Sequence, residues 1–269
     1  MGTRATKRSD VFLNYHLYGE PDGPAEVDYF FWILRNQHRT VVVDTGFSPS
    51  AGLKRSRELL LHPSQALAEL GIEPDEIEDV ILTHGHYDHI GNADLFPRAT
   101  FHMAEAEYRF WTSATADHTQ FSYYAEQQDI SYLRRRQREG KLNLFTGHCT
   151  PAPGLDVVEV GGHTPGQAMV RLQTTAGPVM LASDAVHFYE ELERDMPFIA
   201  ISNLPEMYHL FMNLREQAKT TGLIIVPGHD PDVMRRFTPY EGALYGNAVT
   251  IGDLPVSSSE KDHHVSDQI

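Results

Sequence analysis

The order of hydrophobic and polar positions divides the chain into short strand-like and helix-like segments. In the first half, β-branched and aromatic residues dominate Val27 to Leu34 (VDYFFWIL) and Thr40 to Val43 (TVVV), which predicts two strands. A helical pattern runs from Pro63 to Leu70 and stops at Gly71, a residue typical of helix C-termini. The run Ile77 to Thr83 (IEDVILT) then predicts a buried strand.

The second half returns to strands after a helical stretch. From about Ala104 to Glu139, aromatic residues alternate with Glu, Gln and Arg, which predicts a helical insertion at about 104–140. Two similar halves of strands and helices predict an α/β fold in which helices cover two sheets. We expect one domain over residues 1–269, with a loose polar tail from about 252. The later segments are three strands at Leu155 to Val160, Ala168 to Gln173 and Pro178 to Ala182, an amphipathic helix at Met207 to Lys219, and a buried strand at Leu223 to Val226.

Charge and cysteine content narrow the classes of function. The formal net charge of -15 argues against nucleic acid or an anionic membrane surface as a partner, because binding phosphates requires clustered Lys and Arg. Cys149 is the single cysteine, so an internal disulfide and a cysteine-based zinc site are excluded. No run approaches the roughly 18 apolar residues of a membrane span. We therefore expect a cytoplasmic protein without a signal peptide.

The stretch 83-THGHYDHIGN-92 carries the clearest chemistry, with three histidines and an aspartate between positions 84 and 89. Side chains alternate along an extended segment, so His84 and His86 point the same way and can hold one ion. Asp88 and His89 follow once the chain begins to turn, so they can face a neighbouring ion. A solvated loop has no reason to contain imidazole three times in six residues, and this stretch therefore predicts a metal site.

Three further candidates follow predicted strands. His163 lies in 161-GGHTPGQ-167, Asp184 ends 179-VMLASD-184, and His229 lies in 223-LIIVPGHD-230. Each one is at a junction between a strand and a loop, where a rigid sheet presents side chains to a shared edge. Together with the motif they supply enough ligands for two cations.

In these residues the chain resembles the metallo-β-lactamase superfamily, whose signature His-x-His-x-Asp-His is met at 84–89. The resemblance covers about residues 27–237 and implies an αββα sandwich with a dinuclear site, usually of zinc. It also implies that Asp44, in 43-VDTG-46, orients the ligand loop from behind. The implied ligands are His84, His86 and His163 for one metal, Asp88, His89 and His229 for the other, and Asp184 as the bridge.

The ligand types suit zinc, and they also suit iron, cobalt and manganese, because imidazole and carboxylate bind all of these ions, so the sequence does not choose among them. Two ions that share a bridging hydroxide provide a nucleophile near neutral pH. No side-chain nucleophile is then required, in agreement with the absence of a G-x-S-x-G motif.

The resemblance also narrows the reaction. A bridging carboxylate is usual in lactonases, glyoxalase II-like thioesterases and phosphodiesterases of the superfamily. The segment 101-FHMAEAEYRFW-111 is similar to the one that precedes the helical insertion in N-acyl-homoserine lactonases. We expect a hydrolase that opens a lactone, either an N-acyl-homoserine lactonase or a lactonase for another ring. The alternative is a glyoxalase II-like thioesterase or another ester or phosphodiester hydrolase.

One position departs from the lactonase pattern. Where those enzymes have a tyrosine three residues after the bridging aspartate, this chain has His187, and Tyr189 follows two residues later. Either side chain could donate the hydrogen bond that holds the substrate carbonyl oxygen. The departure is also compatible with a pocket for a different substrate. Asp88 is the candidate for moving a proton to the leaving group.

Two readings from other classes remain open at this point. A mononuclear iron oxygenase normally needs fewer ligands, and a metal-binding regulatory module would have no reason to keep the complete set. The expected partner is a small-molecule ester or lactone. The sequence is also compatible with a homodimer.

Overall fold

The computed structural model describes residues 1–252, so the tail predicted from about residue 252 lies outside the described residues apart from Gly252. The strands are β1 (Gly2–Lys7), β2 (Pro24–Tyr29), β3 (Trp32–Arg35), β4 (Thr40–Val43), β5 (Glu58–Leu59), β6 (Asp79–Ile81), β7 (Thr100–Ala104), β8 (Leu142–Phe145), β9 (His148–Ala152), β10 (Leu155–Glu159), β11 (Ala168–Thr174), β12 (Gly177–Ser183), β13 (Ile224–Pro227), β14 (Thr238–Pro239) and β15 (Val249–Thr250). The α-helices are α1 (Pro49–Lys54), α2 (Pro63–Glu69), α3 (Tyr87–Ile90), α4 (Glu105–Trp111), α5 (Thr119–Ser122), α6 (Gln127–Arg138), α7 (Tyr189–Arg194), α8 (Leu204–Thr221) and α9 (Asp232–Arg236). Short 3-10 helices join several of these elements.

Two five-stranded sheets form the body of the fold. The first has the order β3-β4-β6-β7-β8, and the second has the order β13-β12-β11-β10-β9. In the first sheet β4, β6, β7 and β8 run parallel, so the carboxyl ends of β4 and β6 meet at one edge. In the second sheet β12 and β13 are the parallel pair, so their carboxyl ends also meet. A small sheet of order β2-β1-β5 lies at the N-terminus.

Alternation along the strands of the first sheet separates an inner face from an outer face. Val41, Val43 and Ile81 pack with residues of the second sheet in the core between the sheets. Their neighbours Val42 and Val80 belong to a different core, formed with residues of α2, α4 and α6. Successive side chains of a strand point to opposite faces, so a strand with apolar residues throughout is covered on both sides.

The second sheet has the same two-sided burial. Val179 and Leu181 of β12 face the core between the sheets. Met180, which lies between them, packs with Phe211 and Leu214 of α8 in an outer core. Helices therefore cover the outer face of each sheet, and the predicted αββα sandwich is confirmed.

Most of the predicted elements are confirmed with shifts of one to three residues at their ends. The helical insertion is present as α4, α5 and α6. The single strand predicted from Val27 to Leu34 is wrong, because β2 pairs with β1 in the small sheet while β3 pairs with β4 in the first sheet. The chain changes sheets at Phe30 and Phe31, a step that an uninterrupted run of strand-forming residues conceals. Across residues 1–252, no helix is both long and apolar enough to cross a membrane.

Candidate metal centre

The histidine motif begins where β6 ends, and Asp44 holds it from the end of the neighbouring strand β4. The Asp44 carboxylate accepts hydrogen bonds from the backbone N–H of Thr83 at 2.8 Å and from the Thr83 hydroxyl at 2.8 Å. The His89 Nδ1–H also donates to it, at 2.7 Å. Because β4 and β6 are parallel neighbours, their carboxyl ends lie side by side. Asp44 and Thr83 are therefore in contact although they are 39 residues apart in the sequence. Asp44 thus orients the ligand loop, as the resemblance implies.

The turn within the motif divides its side chains into two groups. His86 precedes α3, and Asp88 and His89 lie in the first turn of that helix. His84 and His86 come before the turn, on extended chain. All four side chains are buried. The motif therefore places two buried candidate ligands before α3 and two within it.

The second sheet supplies the other candidates from the ends of its strands. His163 lies in the loop between β10 and β11, and its Nδ1–H donates to the carbonyl of Ala200 at 2.7 Å. Asp184 directly follows β12, and His229 lies two residues after β13. The His229 Nδ1–H donates to the carbonyl of Asp28 at 2.7 Å. In both histidines the outer nitrogen is occupied, which directs Nε2 towards the interior of the site.

Three overlapping groups of ligand atoms result. In each group the atoms lie within 4.8 Å of one another. Asp184 connects them, because its Oδ2 lies 3.3 Å from His163 Nε2 while its Oδ1 lies 3.1 Å from both His89 Nε2 and His229 Nε2. The first group is His84, His86, His163 and Asp184, the second is Asp88, His89 and His229, and the third is Asp184, His187 and His229, which shares a member with each of the others.

The unpaired atoms at this site fit metal cations. Among residues 1–252, the buried polar atoms without a hydrogen-bond partner include His84 Nε2, His89 Nε2 and Asp184 Oδ1. In addition, His163 Nε2 and His86 Nδ1 face each other at 3.1 Å. Leaving such atoms buried and unpaired costs about 1–3 kcal/mol each. Divalent cations between the nitrogens and carboxylates would satisfy all of these atoms.

The electrostatics of the first group agree with this interpretation. Burial lowers the pKa of His84 and of His86 well below the usual value, and neighbouring imidazoles lower it further. Burial likewise lowers the pKa of His163 to about 3. These rings are neutral near pH 7, and a neutral imidazole has the lone pair that a metal ligand requires.

His187 also lies at this site. Its ring is fully buried, stacks on Phe198 with a centroid separation of 3.8 Å, and places Nε2 3.2 Å from Asp184 Oδ2. Burial by itself lowers the pKa of His187, but the carboxylates of Asp184 and Glu191 outweigh it and raise the pKa to about 9. The ring of Tyr189 instead lies against the guanidinium of Arg236, at 3.7 Å from its Cζ. The structure thus brings His187, and not Tyr189, into the cluster of ligand groups.

Comparisons with known proteins agree with this architecture. A sequence model of the metallo-beta-lactamase superfamily matches residues 27–229. The chain belongs to the metallo-β-lactamase superfamily. An N-acyl homoserine lactonase from a Bacillus species is 24% identical over 220 residues, which cover 74% of this chain and 80% of that protein. Metallo-beta-lactamase domain-containing protein 1 of Xenopus laevis is 30% identical over 193 residues, which cover 71% of this chain and 66% of that protein.

Solved structures of the superfamily share the fold. One of them is an N-acyl homoserine lactone hydrolase with the product N-hexanoyl-L-homoserine bound at its catalytic metal centre. It matches this chain with a TM-score of 0.68 and 21% sequence identity, over 87% of this chain and 95% of that one. At this level of identity the match supports the fold alone.

Two buried glutamates, Glu107 and Glu191, lie next to the candidate metal centre and were not predicted from the sequence. Glu191 in α7 accepts hydrogen bonds from the backbone N–H groups of His187, of Phe188 at 3.2 Å and of Phe198 at 2.5 Å. It ties together the two segments that stack at His187. Glu107 in α4 is equally buried and contacts both ligand loops. In the sequence, Glu107 is only an acidic residue among aromatic ones in a predicted helix. Such a residue usually lies on the exposed face of a helix, so its type gave no indication of burial.

Proposed function

We propose that this chain is a metal-dependent hydrolase that opens a lactone, with an N-acyl-homoserine lactone or another cyclic ester as the substrate. The observation that carries the proposal is the pair of adjoining ligand groups joined by Asp184. Support for the lactone comes from curated relatives that are N-acyl homoserine lactonases. A fold neighbour also has a ring-opened product bound at its metal centre.

The donor set determines which residues would hold the metals. Zinc is the proposed ion, and iron, manganese and cobalt also suit imidazole and carboxylate ligands. When bound, two such ions activate water near neutral pH and polarise the carbonyl of the ester. We assign His84, His86 and His163 to one ion, Asp88, His89 and His229 to the other, and Asp184 to both.

The protein's own contribution is orientation and the handling of one proton. Asp44 and the carbonyls of Ala200 and Asp28 fix the outer nitrogens of three ligand histidines. The Oδ2 atom of Asp88 points towards the ligand histidines and lies 4.0 Å from His89 Nε2. We assign to its Oδ1 the transfer of a proton from the attacking water to the ring oxygen that leaves.

We assign to His187 the hydrogen bond to the substrate carbonyl oxygen, which a tyrosine donates in the lactonases that this chain resembles. Its Nδ1 faces the carboxylate of Glu191 at 3.5 Å, and its Nε2 faces the ligand cluster. Stacking on Phe198 fixes the plane of the ring. A preorganised N–H at Nε2 can donate to the carbonyl oxygen as negative charge develops there. Tyr189 has a different environment, beside Arg236, so we give His187 this role.

The test is a hydrolysis screen of zinc-loaded protein with a pH indicator. The panel contains acyl-homoserine lactones of several chain lengths, γ- and δ-lactones, aromatic lactones, thioesters and phosphodiesters. We expect turnover of at least one lactone class, and we expect Asp184→Asn to lose it by orders of magnitude while keeping the wild-type circular dichroism. Asp129→Asn is a matched control, because Asp129 is a buried carboxylate outside the ligand groups.

Two results would contradict the proposal. Turnover of thioesters or phosphodiesters without any lactone would assign the chain to the alternative hydrolase classes. Wild-type turnover by Asp184→Asn would refute the shared-carboxylate site. A cytoplasmic location and a homodimer stay predictions, and metal analysis of protein purified from its native host would test zinc.

A further inference from the structure

Glu107 is a charged side chain in a fully buried position, in the first turns of α4. Its Oε1 accepts hydrogen bonds from the Gly85 backbone N–H at 2.8 Å and from the Trp111 indole N–H at 2.6 Å. Its Oε2 accepts one from the Gly166 backbone N–H at 2.9 Å. Three N–H donors thus surround one carboxylate in the interior, and such charge-assisted hydrogen bonds are stronger than neutral ones.

The two glycines belong to the two loops that form the first ligand group. Gly85 lies between His84 and His86, which follow β6 of the first sheet. Gly166 lies three residues after His163, just before β11 of the second sheet. The first ligand group is therefore assembled across the two sheets, and the Glu107 carboxylate binds both of its loops.

Both loops approach α4 too closely for any larger residue at the glycine positions. A Cβ atom at Gly85 would lie 2.3 Å from Trp111 Cδ1, and one at Gly166 would lie 2.2 Å from the Glu107 backbone nitrogen. Real Cβ atoms do not tolerate such distances, so the contact depends on glycine. The close packing leaves each loop little freedom to move relative to α4.

His86 depends on this arrangement through the side chain of Trp111. Its Nδ1 faces His163 Nε2 inside the site, and its ring is held by Trp111 at 5.4 Å and by Tyr124 at 5.1 Å between centroids. Trp111 is in turn oriented by its hydrogen bond to Glu107. A change at Glu107 would therefore reach His86 through Trp111, and His163 through the loop of Gly166.

We propose that Glu107 is a positioning residue that ties the His84–His86 loop to the His163 loop and thereby sets the affinity of the first metal position. The inference rests on the proposed metal centre. The second position has a separate support, because Asp44 and the carbonyl of Asp28 orient His89 and His229. Loss of the hydrogen bonds of Glu107 should consequently lower the metal affinity of the first position and leave that of the second position unchanged.

The experiment uses Glu107→Gln in the full chain. The carboxamide keeps an oxygen for one loop and turns an NH2 group towards the N–H of the other loop, so one tie is lost while the volume is preserved. Trp111→Phe keeps an aromatic ring beside Gly85 and removes one donor. Asp129→Asn is the control, since Asp129 is a buried carboxylate of the same helical insertion that lines a different cavity and belongs to none of the ligand groups.

Zinc binding is measured by competition with a chromophoric chelator, and cobalt absorption spectra report the geometry at each position. We expect wild-type protein and the control to bind two ions. Glu107→Gln should keep one ion at wild-type affinity and bind the other about 10–100-fold more weakly, the usual effect of losing a residue that orients metal ligands. Trp111→Phe should weaken the same ion by a smaller factor and change the same cobalt bands.

The outcomes separate this inference from the proposed function. A wild-type protein that binds fewer than two ions would refute the proposed metal centre itself. If the wild type binds two ions, unchanged affinities in Glu107→Gln would overturn the positioning role. Parallel weakening of both ions would overturn it as well, because that is the signature of general loosening. Should Glu107→Gln fail to fold, selective weakening in Trp111→Phe would support the inference, and unchanged affinities there would overturn it.

Discussion

Replacing Asp44 by Asn removes a buried charge behind the histidine motif with little change of shape. Asp44 has a φ of 59°, in the left-handed region, where Asn is among the best tolerated residues. The backbone conformation should therefore survive the substitution. The substitution replaces one acceptor, Asp44 Oδ2, by an NH2 group. Oδ2 lies 2.7 Å from His89 Nδ1 and 2.8 Å from the Thr83 hydroxyl.

The magnitude follows from the hydrogen bonds that are lost. The amide oxygen can still accept from the backbone N–H of Thr83, but the NH2 group faces the Nδ1–H donor of His89. Hydrogen bonds to charged groups contribute about 1.5–3 kcal/mol each. At about 1.4 kcal/mol per factor of ten, one such loss corresponds to roughly a 10- to 150-fold change in affinity. We expect the metal held by His89 to bind about 10–100-fold more weakly, within the range for outer ligand partners.

Zinc competition with a chromophoric chelator measures both positions in one titration. Asp44→Asn should weaken mainly the position of Asp88, His89 and His229, whereas Glu107→Gln should weaken the other position. Asp129→Asn again serves as the buried control. Equal weakening of both positions in Asp44→Asn, or wild-type binding at both, would refute the reasoning that Asp44 acts through His89.

Two further predictions concern the reaction and the core. His187→Phe keeps a ring to stack on Phe198 but removes the donor at Nε2, so kcat/KM on the best lactone should fall by about 100- to 1000-fold. His102→Gln is its control, since His102 is a buried histidine paired with Asp79 at 2.8 Å, and an unchanged kcat/KM for His187→Phe would remove His187 from the reaction. Phe101→Ala empties a fully buried position beneath the helical insertion and should lower the free energy of unfolding of the metal-free protein by about 3–5 kcal/mol in urea titrations. A loss below about 1 kcal/mol would contradict the packing argument for this core.

The buried strands of the two large sheets could be predicted because both of their faces are apolar. Thr40–Val43 is a strand with the predicted bounds, and Gly177–Ser183 differs from its prediction by one residue at each end. A run of β-branched residues indicates such a strand without knowledge of its neighbours. The helical insertion was equally predictable, since it is long and its composition differs from that of the strands.

Elements that depend on a partner were harder to predict. β1 consists of small and charged residues (GTRATK), and its pairing with β2 over six residues is a contact between distant segments. The division of Val27 to Leu34 between two sheets has the same cause, because the run VDYFFWIL is strand-forming throughout, while β2 and β3 differ in the strand that each one pairs with. Pairing is a tertiary property, and residue patterns within one segment do not report it.

The candidate ligands were visible in the sequence because their residue types are unusual at strand ends. Their supporting residues were not visible. Glu107 and Glu191 are single acidic residues in helices, where a charge normally faces solvent, yet both are buried among backbone N–H donors. Their assignment required the positions of loops that are 22 and 59 residues away from Glu107 along the chain.

By itself, the sequence determined the sandwich fold, the choice of imidazole and carboxylate chemistry, and the candidate ligands, since these are local matters of residue type, periodicity and spacing. Only the tertiary structure decided that His187 and not Tyr189 lies beside Asp184, and that Glu107 ties two loops from different sheets. These relations are distances between segments far apart in the chain, and they arise when the two sheets pack against each other.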